Sequence, residues 1–100
     1  MKIRTLLAEL VGTAILAMAV VGSGVMAGNL TKDVGLQLFI VAFATFLILA
    51  VLIQMLGPIS GAHFNPAVTL VTLINKGISA TTAINYVVIQ VIGAFIGVVL

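Results

Sequence analysis

The sequence predicts an all-α membrane protein with three membrane-spanning helices and one re-entrant half-helix. Three observations carry that expectation. Of its 100 residues, 63% are hydrophobic and 6% are charged, too few charges to cover the surface of a soluble domain. Three apolar runs, at about 6–27, 34–56 and 80–100, each have roughly the 20 residues that crossing a bilayer core requires. Between the second and third runs, residues 57–74 join irregular backbone to a helix too short to span. At this length the chain is one structural unit, 1–100.

The first run begins after the basic start Met1-Lys2-Ile3-Arg4 and extends from Leu6 to about Ala27. A signal peptide starts in the same way, but this run is long enough to span, carries Glu9, and is followed by two more apolar runs. Ala8 with Gly12, and Gly24 with Gly28, recur at four-residue spacing that admits a close helix neighbour. Gly28 to Asp33 is a short polar connection. The second run goes from Val34 to Leu56, interrupted by Gln37, Thr45 and Gln54.

Gly57-Pro58-Ile59-Ser60-Gly61 then reads as irregular backbone, and a helix start follows it. Asn65 is a preferred N-cap, and Pro66 suits the first helical position because its missing N–H has no helical partner to lose. The apolar stretch lasts only to Ile74, where Asn75-Lys76-Gly77 supply stop signals. From Pro66 to Ile74 the rise is about 14 Å, half of a core about 30 Å thick. Such backbone survives at membrane depth only if protein buries it or it lines a wet cavity. Ser79 is placed to cap the third run, which carries Gln90 and the small pair Gly93 and Gly97. Lys2, Arg4 and Lys76 against Lys32 put the N-terminus in the cytoplasm and the half-helix on an entry from that side.

Several function classes are excluded. There are no cysteines and one histidine, His63, so no protein-built metal site and no cofactor are expected. A net charge of +2 from scattered lysines and arginines offers no track for nucleic acid. No Ser/His/Asp grouping, paired carboxylate or phosphate-binding loop supports an enzyme.

Asn65 is the leading candidate for function. As an N-cap its side-chain oxygen accepts from the first helical turn, which leaves its NH₂ as an outward donor for the oxygen of a water or alcohol. The half-helix dipole adds partial positive charge there and repels cations. The alternative is a residue that only caps. Glu9 has three open roles: an acceptor that anchors the orphaned N–H groups of the re-entrant loop, a hydrated residue near the interface, or a proton relay. His63 lines a pore or bonds within the loop. Gln54 and Gln90 read as interhelical contacts or interface residues.

Ser60-Gly61-Ala62-His63-Phe64-Asn65-Pro66-Ala67-Val68-Thr69 resembles the first Asn-Pro-Ala signature of the aquaporin, or major intrinsic protein, family. Ala8-Glu9-Leu10-Val11-Gly12-Thr13 resembles its first-helix motif, and Tyr86-Val87-Val88-Ile89-Gln90-Val91-Ile92-Gly93-Ala94 its third helix. The resemblance implies an aquaporin-like half-repeat of an inverted-repeat channel, in which two half-helices meet at the midplane. It further implies a homotetramer in the cell (inner) membrane with one pore per subunit, passing water or small neutral solutes such as glycerol. By position, Asn65 becomes a pore donor and Pro66-Ala67 the contact with the opposite half-helix. Gly61, Ala62 and His63 line the pore through their carbonyls, and Glu9 anchors the loop.

Two departures shape the expectation. The family's second repeat, with its own signature and filter arginine, is missing from this chain, so the sequence is expected to be a fragment rather than a half that pairs with an inverted copy; Lys2, Arg4 and Lys76 on one side oppose inversion. The family's second-span filter position falls on Thr45, between Phe43 and Phe46, where water-selective members tend to carry Phe and glycerol-conducting ones Trp. A wider, more polar filter makes glycerol-like solutes or uncharged metalloid hydroxides credible. A reading from another class is a small helical membrane protein that acts by packing alone, through its small-residue pairs.

Overall fold

A computed structural model describes residues 3–100. The described residues form helices α1 (Ile3–Leu30), α2 (Val34–Ser60), α3 (Pro66–Ile74) and α4 (Ala80–Val99), with no strand among them. Three of these, α1, α2 and α4, are long and apolar enough to cross a membrane; α3 is not. Lys2 lies outside the described residues.

The caps follow local chemistry. Asp33 accepts from the Leu36 N–H at 3.1 Å and starts α2, and Ser79 accepts from the Thr82 N–H at 3.2 Å and starts α4. The α2 helix runs past Pro58 to Ser60, four residues beyond the expected end at Leu56. Proline in the last turn forfeits only its own hydrogen bond to the preceding turn, and Gly61, at φ 86°, closes the helix by donating to the Gly57 carbonyl at 2.8 Å. The irregular backbone is thereby confined to the five residues from Gly61 to Asn65.

Helix α1 is the centre of the packing: α2 and α4 both lie against it, α3 lies against α4, and α2 does not pack its backbone against α3 or α4, touching α4 through the Tyr86 side chain at Ser60. The α4 contact runs parallel to α1. A methyl added at Gly93 would stand 2.6 Å from the Leu10 carbonyl oxygen, and one at Gly97 would overlap the Ala14 carbonyl, so these glycines let the two backbones touch. Gly12 serves a different partner, because a side chain there would overlap the Phe64 ring. Gly28 meets nothing within 4 Å and Gly24 only the edge of Val41 at 4.0 Å, so that pair makes no close approach inside this chain.

The core is small, and its largest fully buried side chains are polar. Glu9 and Thr69 are fully buried and Gln90 nearly so, while the outward faces of α1, α2 and α4 expose valine, leucine, isoleucine and phenylalanine. A soluble fold inverts that arrangement. In lipid, exposed apolar faces are at no disadvantage and packing rests on close contact and polar pairing.

Candidate half-helix site

The site is the start of α3 together with the five residues that lead into it. Asn65 has extended backbone (φ −159°, ψ 128°), and its side-chain oxygen accepts from the Ala67 N–H at 2.8 Å. Pro66 opens the helix. The Asn65 NH₂ donates to no group among the described residues, and the side chain is exposed. A fixed, unpartnered donor therefore stands at the positive end of the helix.

The lead-in is held in an unusual shape. Gly61, Ala62 and Phe64 all have positive φ, at 86°, 54° and 52°. For Ala62 and Phe64 the left-handed conformation costs on the order of 1–3 kcal/mol each, so surrounding contacts must impose it. Glu9 imposes much of it. Its Oε2 accepts from the Ser60 hydroxyl at 2.6 Å and the His63 N–H at 3.2 Å, and its Oε1 from the Phe64 N–H at 3.0 Å and Gln90 Nε2 at 2.8 Å. Four donors fill the lone-pair positions a carboxylate offers. The Phe64 ring, 3% exposed, seats over Gly12 and holds the same residue from its other side.

With the N–H groups turned toward Glu9, the carbonyls are left free. No hydrogen bond among the described residues ends on the Gly61, Ala62, His63 or Phe64 oxygen. Gly61 is exposed and Ala62 and His63 are half-buried, so these unpaired acceptors are open to a partner from outside the chain.

Side chains from α2, α3 and α4 complete the cluster. Tyr86 donates its hydroxyl to the Ser60 carbonyl at 2.7 Å, and its ring is tilted against His63 with centroids 4.9 Å apart. Gln90 Nε2 also reaches Thr69 Oγ1 at 3.0 Å, and Thr69 Oγ1 lies 2.9 Å from His63 Nδ1. Thr5 on α1 donates to the Ile59 carbonyl at 3.3 Å, which ties the end of α2 to the start of α1. Above the cluster a groove of about 380 Å³ is lined by Thr13, Phe64, Asn65, Pro66, Gln90 and Val91. Two buried atoms without a partner among the described residues, Thr13 Oγ1 and Gln90 Oε1, belong to residues of that groove.

Of the residues singled out from sequence, Glu9, Gly61, Ala62, His63, Asn65, Pro66 and Ala67 are gathered in this one site. Thr45 stands apart on α2, half-buried, with its hydroxyl donating to the Val41 carbonyl at 2.7 Å. Ser60, Thr69, Tyr86 and Gln90 were not among the predicted site residues. The available signal was a polar group isolated mid-span: Gln90 in α4 has no polar neighbour in its own run between Tyr86 and the end of the helix, and is too costly to leave in lipid.

Three membrane-length helices and an N-capped half-helix docked against α4 define a multi-pass membrane protein organised on a half-helix site. The chain belongs to the major intrinsic protein family, whose sequence profile matches residues 1–100. It is 49% identical over 94 residues to the aquaglyceroporin AqpS of Rhizobium meliloti, covering 94% of this chain and 40% of that protein. It is 41% identical over 93 residues to glycerol uptake facilitator protein-like 6 of Lactiplantibacillus plantarum, again 40% of the relative's length. Aquaporin-5 of Sus scrofa is 47% identical over 57 residues, covering 57% of this chain and 22% of the relative. The chain thus spans about two-fifths of the length of the first of these relatives.

Proposed function

We propose that the chain forms one half of a passive pore for water and small uncharged solutes such as glycerol. The observation that carries this is the free NH₂ of Asn65, fixed by its own oxygen's bond to Ala67 at the head of a nine-residue helix. A donor held at that point, followed by unpaired carbonyls from Gly61, Ala62 and His63, suits a file of molecules that both accept and donate hydrogen bonds. The half-helix dipole disfavours cations in the same place. Family membership and relatives named for glycerol and water passage support the same reading.

In this reading Asn65 meets the solute near the membrane midplane. The Phe64 ring that precedes it lies over Gly12, nine residues into α1 from Ile3, a rise of about 14 Å against a core of about 30 Å. Pro66 and Ala67, both exposed, receive the half-helix of a second repeat, and the complete pores assemble as a homotetramer. The N-terminus faces the cytoplasm of an inner-membrane protein: α1 and α4 run parallel, so Arg4 and Lys76 fall on one side and Lys32 on the other. Thr45 is compact and its hydroxyl proton is already engaged, which supports a filter wide enough for glycerol-like solutes and uncharged metalloid hydroxides.

Packing without transport is the weaker reading, because Gly93 and Gly97 are used against α1 within the chain itself. The deciding experiment is stopped-flow light scattering of vesicles that hold the full-length protein. Osmotic shrinkage and glycerol re-swelling faster than in empty vesicles are expected. Rates equal to those of empty vesicles reject the pore.

A further inference from the structure

We infer that Thr69 and Gln90 are positioning residues that hold His63 in one tautomer, with Nδ1 bare and the proton on Nε2, so that the imidazole presents a donor beside Gly61. The tautomer follows from proton accounting in the buried cluster. Gln90 Nε2 lies 2.8 Å from Glu9 Oε1, and an amide oxygen in that position would face a carboxylate oxygen, so this end of the side chain is the NH₂. One of its protons goes to Glu9 and the other to Thr69 Oγ1 at 3.0 Å. Thr69 Oγ1 is therefore an acceptor toward Gln90 and must place its own proton elsewhere.

Thr45 and Thr72 return their hydroxyl protons to the carbonyl four residues earlier, Val41 and Val68, at 2.7 and 2.9 Å. Thr69 makes no such bond. Its remaining partner among the described residues is His63 Nδ1 at 2.9 Å, so Nδ1 is the acceptor and the ring's proton sits on Nε2. The alternative tautomer would aim the Gln90 and His63 donors at one fully buried hydroxyl and strand that hydroxyl's proton. Glu9 from α1 and Tyr86 from α4 are the titratable groups packed around the ring; Tyr86 spends its proton on the Ser60 carbonyl and Glu9 is already filled by four donors, so neither competes for Nδ1.

Nε2 is on the open side. It has no partner among the described residues, yet it is not one of the buried unpaired atoms. Gly61 is its neighbour on that side, where even an added methyl would stand 3.4 Å away, in ordinary contact. The tautomer stands on the cluster alone. Its use, as a second fixed donor for a solute oxygen two residues before Asn65, rests on the pore reading above.

The test separates the two. The imidazole ¹⁵N chemical shifts of His63, in the full-length protein in lipid bilayers and assigned by difference against His63→Gln, report which nitrogen carries the proton. A bare Nδ1 and protonated Nε2 are expected. Thr69→Val should populate the other tautomer, and Thr69→Ser, which keeps the hydroxyl, should restore the original. A purely structural role for Thr69 would leave the ratio unmoved in both variants. A proton on Nδ1 in the unaltered protein, or no change in Thr69→Val, overturns the inference. If the tautomer is as inferred, glycerol flux in Thr69→Val should fall several-fold and recover in Thr69→Ser. Absence of flux in the unaltered protein would reject the pore and leave the tautomer result standing.

Discussion

Glu9 Oε1 and Gln90 Nε2 are 2.8 Å apart across 81 residues of sequence, and that bond joins the first helix to the last through the loop that precedes α3. It makes the carboxylate a shared acceptor: the loop's N–H groups and the α4 amide meet on the same side chain. The shape of the loop and the register of α1 on α4 are thereby one problem, solved once.

Glu9→Ala should be among the most damaging single changes in the chain. It would leave the Ser60 hydroxyl, two backbone N–H groups and one Gln90 proton without their acceptor. Removing a buried acceptor of this kind destabilises by about 3–5 kcal/mol. A thermal unfolding midpoint in detergent, lowered well below that of Gln90→Leu, is the expected result; an unchanged midpoint would show that Glu9 is not the acceptor on which the loop depends.

The glycines on α1 and α4 should separate cleanly by position. Gly97→Ala forces a methyl into the Ala14 carbonyl and should destabilise by about 1–3 kcal/mol. Gly28→Ala meets nothing within 4 Å and gains helix propensity, so it should be neutral or stabilising by up to about 1 kcal/mol. The two unfolding midpoints, compared side by side, read this directly.

Asn65→Asp preserves the shape of the cap, since a carboxylate oxygen can still accept from Ala67, but it replaces the free NH₂ with negative charge. Folding should survive while neutral-solute flux falls by about tenfold or more, measured by stopped flow on vesicles of matched protein content. Undiminished flux would mean that the Asn65 amide does not touch the permeating molecule.

Thr45→Phe should narrow the proposed filter. Glycerol flux is expected to drop by about tenfold with water flux largely kept, because an aromatic ring excludes by width. Equal loss of both solutes, or of neither, would place the constriction elsewhere than at Thr45.

Much of the architecture was legible in the residues because the signals are local. Asn65 before Pro66 starts α3, and Asn75-Lys76-Gly77 end it within a turn, so a nine-residue helix needs no distant partner to be foreseen. The end of α2 was not legible in the same way. Pro58 reads as a helix breaker, yet α2 continues two residues beyond it to Ser60, where Glu9 captures the hydroxyl and Tyr86 the carbonyl. Likewise Gly12 and Gly28 look alike in sequence, and only the fold shows that one receives the Phe64 ring and the other meets nothing.

Composition and spacing alone determined that this chain lives in a bilayer, that it has three long helices and one short one, and that Asn65 heads the short one. Hydropathy and capping act over a few residues, so they can be read in a row. Tertiary structure decided which groups satisfy the buried polar atoms: Ser60, His63, Phe64 and Gln90 converge on Glu9 from 51 to 81 residues away. In a medium without water every such group must find a partner, and no local pattern says which one lies within reach.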